Sequence, residues 1–197
     1  MPILSSDRHS DLRSTLRRLK PEKRRARLKA REESDLDFLD ASHTKPGKLL
    51  YDTTVYIDIL QGRFPESGEA MLRAGEAWHS PVTEAELSAA IGLLDPAHPQ
   101  TPGLIEQIGA VIDRRPRYRT LVPDPEIWRD AGILSGILAR IQGLDKNQRR
   151  RLLNDSLLLA SGRKHGCTIL TRNVADFDLL QQLYPGGKVL FYRRSDS

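Results

Sequence analysis

Four short stretches of this 197-residue chain carry an acidic residue in a setting that asks for a chemical reason. The apolar run Leu49, Leu50, Tyr51 leads directly into Asp52, and a helix-like segment through Ile57 follows without a true loop. Glu86 lies in Ser80-Pro-Val-Thr-Glu-Ala-Glu86-Leu87, Asp155 in Asn154-Asp155-Ser-Leu-Leu-Leu-Ala160, and Asp176 in Leu170-Thr-Arg-Asn173-Val-Ala-Asp176-Phe177. Each acid alone has an ordinary explanation. Asp52 suits a helix N-cap, and Thr83 with Glu86 reads as a capping box. Asn173 with Asp176 imitates that arrangement, and Asp155 has Arg149, Arg150 and Arg151 nearby as ion-pair partners. Together they say more. A buried carboxylate must be paired or must hold a metal. Three or four of them converging without His or Cys form a hard-oxygen site, suited to Mg²⁺ or Mn²⁺ rather than zinc. The chemistry such a site serves best is phosphodiester hydrolysis, with the cation activating water and stabilising the leaving oxygen.

Convergence requires a fold that brings distant segments to one edge, and the apolar pattern supplies it. Short apolar runs at Leu49–Asp52, Trp78–Val82, Leu121–Val122, Thr168–Thr171 and Lys188–Tyr192 alternate with amphipathic stretches. The expected helices run from Asp52 to near Gly62, Pro65 to Glu76, Thr83 to Gly92, Thr101 to Arg115, Pro125 to Gln142, Lys146 to Lys164 and Asn173 to Tyr184. Gly166 serves as a C-cap. Such alternation predicts an α/β fold with a central parallel sheet covered on both faces. Asp52, Glu86 and Asp176 then lie at the carboxyl edge of that sheet, where such folds place ligands. Asp155 begins the apolar part of a helix packed on the sheet and points to the same cleft.

Composition narrows the class. A single cysteine, Cys167, excludes a disulfide framework and a cysteine-based zinc site, and fits a reducing compartment. The five histidines lack metal-ligand spacing. No apolar segment approaches the ~20 residues that a membrane helix needs, and no signal-peptide pattern opens the chain. A cytoplasmic protein without a membrane segment is expected. The net charge of +5 is unevenly spread: residues 1–48 carry 13 Lys/Arg and eight Asp/Glu, and the rest carries 18 of each. That asymmetry points to a polyanionic partner.

The four acidic blocks, in this order, resemble those of PIN-domain ribonucleases, most of all the VapC-type toxins of toxin–antitoxin pairs. The resemblance spans about residues 48–192. It implies a three-layer α/β/α fold, Mg²⁺-dependent (or Mn²⁺-dependent) endoribonuclease activity on an RNA substrate, a cognate antitoxin and a homodimer. It carries catalytic roles to Asp52, Glu86, Asp155 and Asp176, with Asp52, Asp155 and Asp176 as metal ligands. The pair Glu86-Leu87 matches the motif better than Glu84, and residues spaced i, i+2 on a helix cannot both face one site. Thr83 takes the family's small hydroxyl position. Asn173 stands where some relatives carry Asp, which removes one anion from a second metal position. A PIN-like module that binds RNA or protein without cleaving is the alternative, and retention of all four acids favours the nuclease. A phosphotransfer domain would show an acidic pair before its Asp and a later Lys, and neither is evident.

Outside the acids, Arg114, Arg115, Arg117 and Arg119 surround Tyr118 as a candidate grip on phosphates and a base, with Arg172 beside the fourth block. Arg149–Arg151 and Arg163-Lys164 are further basic groups. The Pro125–Gln142 helix, with Trp128 beside its stripe, is the candidate dimer surface. Residues 1–47 read as a basic helical arm and linker, separate from a nuclease domain over residues 48–197. Leu12, Leu16 and Leu19 give the arm one short apolar stripe. A second helix is expected after Pro21, and Glu22 to Glu33 offers it almost no apolar face, so the arm is expected to add little to the domain's stability. Residues 41–47 form the linker.

Overall fold

The computed structural model describes residues 12–40 and 47–195. Four parallel strands, β1 (Lys48–Tyr51), β2 (Glu76–Trp78), β3 (Thr168–Thr171) and β4 (Lys188–Phe191), form one sheet in the order β2-β1-β3-β4. Side chains alternate across a pleated sheet, and here the alternation sorts two cores. Leu50, Ile169, Val189 and Phe191 point to one face, and Leu49, Tyr51, Leu170, Leu190 and Tyr192 to the other. The first face is covered by α6 (Pro125–Gln142), α7 (Lys146–His165), α8 (Val174–Leu183) and α1 (Leu12–Leu19). The second is covered by α2 (Thr53–Leu60), α3 (Glu66–Ala74) and α5 (Thr101–Asp113). The helix α4 (Pro81–Gly92) spans the carboxyl edge, with Val82 in one core and Leu87 in the other. The result is the expected α/β/α arrangement around a parallel sheet.

Several expected boundaries move for identifiable reasons. β2 ends at Trp78, because Pro81 cannot donate to a ladder and opens α4 at its first turn. Ser80, rather than Thr83, caps α4 by accepting the Val82 N–H, so the expected capping box does not form. Instead of a strand at Leu121–Val122 there is a single parallel bridge, His79 to Thr120, beyond the end of β2. At the start of α7 a capping box does form, between Asp145 and Gln148. That helix closes on Gly166, whose left-handed φ of 68° suits a residue without Cβ.

The largest departure is in the N-terminal segment. No helix forms over residues 22–33; Pro21–Lys23 and Glu33–Asp35 are short 3₁₀ turns joined by extended chain. A helix with one large apolar residue has nothing to bury, whereas an extended chain can lay its groups on the body one at a time. Leu19 enters the main core at 1% exposure. Phe38 bridges Phe191 in parallel, the Phe191 N–H donating to Asp37 O and the Leu39 N–H to Phe191 O. The expected linker at 41–47 lies, except for Gly47, outside the described residues. No helix of the described residues is long and apolar enough to cross a membrane. The apolar stripe of α6 (Ile127, Ala131, Leu134, Leu138, Ile141) is consumed by the core, which leaves Trp128 exposed alone rather than crowning a free stripe.

Candidate functional site

Asp52 follows the last residue of β1 at the N-cap position of α2, but its side chain does not cap. One oxygen, Oδ2, accepts the Thr54 and Thr171 hydroxyls at 2.7 Å each. Thr171 closes β3 on the neighbouring strand, so strand pairing itself brings it to Asp52. The Asn173 N–H donates to the Thr171 hydroxyl at 2.9 Å, and the Asn173 side-chain oxygen accepts the Asp176 N–H. Asn173 therefore caps α8, as its sequence position suggests. Its amide nitrogen does more, donating to Asp155 at 3.2 Å and to Asp176 at 3.0 Å. Glu86, on the inward face of α4, accepts from the Thr53 hydroxyl and from the Asn154 amide, the latter at 2.7 Å.

The four acids share one field. Burial pushes the Asp155 carboxyl well above its ordinary value, and the charges of Asp52, Asp176 and Glu86 push it further. Among the described residues, no Lys, Arg or His forms an ion pair with any of the four. Three other acids are as buried as Asp52 and Asp155 and are treated differently. Asp58 accepts from Arg172, Arg194 and the Tyr192 hydroxyl. Asp130 is held by Arg18, Thr15 and Tyr184. Asp178 accepts the Arg31 N–H and side chain at 2.9 and 2.6 Å. Among the described residues, these three acids are each matched by arginine, and the group at the sheet edge forms no ion pair.

A hard divalent cation suits this donor set in charge and in chemistry. The carboxylates do not stand ready as a cage: among the described residues, no three or more His, Cys, Asp and Glu side chains are grouped to hold an ion. Each is turned instead toward a hydroxyl or amide, and Asn173 stands between two of them.

The remaining expected site residues divide. Thr83 is fully buried and donates to the Tyr51 carbonyl at 3.2 Å, tying α4 to β1 rather than touching an acid. Arg172 belongs to the Asp58 pair at 2.8 Å, not to an open basic groove. Arg114 and Arg117 are exposed, whereas Arg115 packs its guanidinium over the Tyr56 ring at 4.5 Å. Arg149–Arg151 lie exposed on α7 and form no ion pair with Asp155. Sequence reasoning passed over the hydroxyls of Thr53, Thr54 and Thr171, and over Asn154. The hint was available, since two threonines follow an acid at a strand-to-helix junction. It also passed over Asp58, a lone charge between Ile57 and Ile59.

No protein-family profile matches the sequence, and no curated protein matches it. Solved structures do match in shape. A chain of VapBC2 from Rickettsia felis, bound to a DNA fragment from its promoter, is 15% identical over 74% of this chain and 98% of that one, with a TM-score of 0.52. FitAcB from Neisseria gonorrhoeae is 21% identical over 73% and 96%, with a TM-score of 0.51. FitAB bound to a DNA fragment called IR36 is 20% identical over 73% and 94%, with a TM-score of 0.50. At such identities the likeness establishes the fold, a PIN-like α/β domain.

Proposed function

We propose that this chain is the toxin of a toxin–antitoxin pair and acts in the cytoplasm as a Mg²⁺- or Mn²⁺-dependent endoribonuclease. One observation carries the reading: among the described residues, four carboxylates converge at the sheet edge with no ion pair, although Asp58, Asp130 and Asp178 each have an arginine. The acidic blocks and the shared shape with VapBC and FitAB complexes support the toxin assignment, a cognate antitoxin and a homodimer. Asp52, Asp155 and Asp176 would hold the cation, and Glu86 completes the acidic wall. When bound, the cation supplies an activated water and charge neutralisation at the leaving oxygen. Thr54 and Thr171 fix the Asp52 carboxylate, and Thr53 with Asn154 fixes Glu86. Burial and the neighbouring acids raise the proton affinity of Asp155, so a cation and a proton would compete for it. Asn173 spaces Asp155 from Asp176 and keeps both oriented.

A second reading has an observation of its own. The Asn173 amide between Asp155 and Asp176, and the lack of a ready-made ligand group, favour a PIN-like module that binds RNA or protein without cutting. Incubating the purified chain with a mixed RNA population, in Mn²⁺ or Mg²⁺ and then in EDTA, separates the two. Fragments that require the metal support the nuclease. Intact RNA under all conditions leaves the binding module.

A further inference from the structure

The N-terminal segment carries its charges sorted by sign. Residues 20–30 hold six Lys or Arg against one acid, Glu22, whereas residues 32–40 hold five Asp or Glu and no base. Charges that only keep a surface wetted are mixed in sign. The basic run is held in place by its backbone rather than by its charges. Arg140 donates to the Pro21 and Arg24 carbonyls at 3.0 and 2.8 Å, Gln142 to the Leu28 carbonyl at 3.0 Å, and Gln182 to the Lys29 carbonyl at 3.0 Å. Arg18 and Arg31, at either end, each reach a buried aspartate. Between them Lys20, Lys23, Arg25 and Lys29 are exposed, and none forms an ion pair among the described residues.

This run leads toward the acidic cleft. Arg27 Nε donates to Gln142 Oε1 at 3.0 Å, at the end of α6, and α7 opens four residues later at Lys146. The first turns of α7 expose Lys146, Arg149, Arg150 and Arg151, and the carboxylate of Asp145 beside them is engaged as the helix cap. Arg151 precedes Asp155 by about one turn, ~6 Å along the helix. We propose that residues 20–29 and the first turns of α7 form one phosphate lane, along which the backbone of an RNA strand leaves the acidic cleft. That the strand is RNA rests on the function proposed above. That the occupant is a phosphate backbone follows from what the lane lacks. No large hydrophobic residue is exposed at positions 20–31 or 142–151, whereas Leu93, Tyr118 and Trp128 are exposed elsewhere. A protein interface has an apolar centre, and a segment that lies on a membrane needs apolar groups to insert. A phosphate backbone needs only cations.

The test uses the full chain in EDTA and a labelled single-stranded RNA of about 15 nucleotides, with binding followed by fluorescence anisotropy over a range of salt. The triple variant Lys23→Gln, Arg25→Gln, Lys29→Gln is expected to bind roughly ten-fold more weakly at low salt, with a log–log salt slope shallower by about 2. Arg150→Gln with Arg151→Gln is expected to flatten the slope by about 1. The control Lys48→Gln, Arg73→Gln, Lys188→Gln removes the same charge at the opposite, amino edge of the sheet, and is expected to bind like the parent. If circular dichroism shows the strap triple unfolded, the pair on α7 carries the test. Parent-like affinity and slope in the folded lane variants overturn the proposal, as does an equal loss in the control. Tighter binding of DNA of the same length, or of an acidic peptide, overturns it too. Lane-dependent binding by a parent protein that leaves RNA intact in Mn²⁺ removes the nuclease reading and keeps the lane. Cleavage by lane variants that bind like the parent removes the lane and keeps the nuclease.

Discussion

Asp155 is the residue at which the proposed chemistry and the stability of this protein are opposed. Its carboxyl is buried among like charges and binds protons more tightly than in the unfolded chain. A raised folded pKa contributes stability below the unfolded value, about 3.9 for an aspartate, and that contribution is lost as pH rises through the folded value. Thermal melts in EDTA should therefore show stability declining from about pH 4 toward neutrality, and Mg²⁺ should remove much of the decline. Asp155→Asn should flatten the same curve without any metal, because the amide keeps the shape and discards the charge. The same substitution, and Asp52→Asn, should each cut metal-dependent RNA cleavage by roughly 100-fold or more while the circular-dichroism spectrum stays that of the parent. A folded Asp52→Asn protein of full activity would remove Asp52 from the site. The four acids were legible from sequence because each ends or follows an apolar strand or opens an apolar turn. Their immediate partners were not, because hydroxyls such as Thr171 acquire meaning only when strand register sets them opposite an acid.

At the level of elements, position depends on how closely α7 can approach β3. A Cβ on Gly162 would lie 2.6 Å from Ile169 Cδ1 and 3.2 Å from the Cys167 carbonyl oxygen, so the glycine permits the contact. Gly162→Ala should cost about 2 kcal/mol in denaturant unfolding. It should also lower cleavage beyond what stability explains, because α7 carries Asp155. The N-terminal segment contributes in a different way. Burial pushes the Asp178 carboxyl up, but the Arg31 hydrogen bonds outweigh it and hold it below its ordinary value. A depressed pKa gives stability above the unfolded value that is lost as pH falls through the folded one. Arg31→Ala should cost about 2 kcal/mol at neutral pH, measured by urea unfolding, by leaving that buried charge unmatched. The core helices were readable from periodicity, and α6 has the limits that its stripe predicts. The stretch 22–33 was not, since a run of charge carries no period and its contacts are with residues more than a hundred positions away.

For the molecule as a whole, the N-terminal segment is a strap. Leu19 in the core, Arg18 on Asp130, Arg31 on Asp178 and Phe38 beside β4 fasten it along one side of the domain. Removing residues 1–45 should lower the melting temperature and promote aggregation in light scattering, because it uncovers the Leu19 seat and bares the edge of β4. A truncated protein that melts like the parent would show the strap to be dispensable. The strap also carries a consequence in time. Arg31 meets Asp178 across 147 positions and Glu33 meets Arg193 across 160, so these docking sites are made long after it. At a synthesis rate of about 15 residues per second, the basic leading segment waits roughly ten seconds for them. Asp176, the last of the four acids, is made after Asp52, Glu86 and Asp155. In the nascent chain the segment is thus basic and unstrapped before the acidic cleft exists.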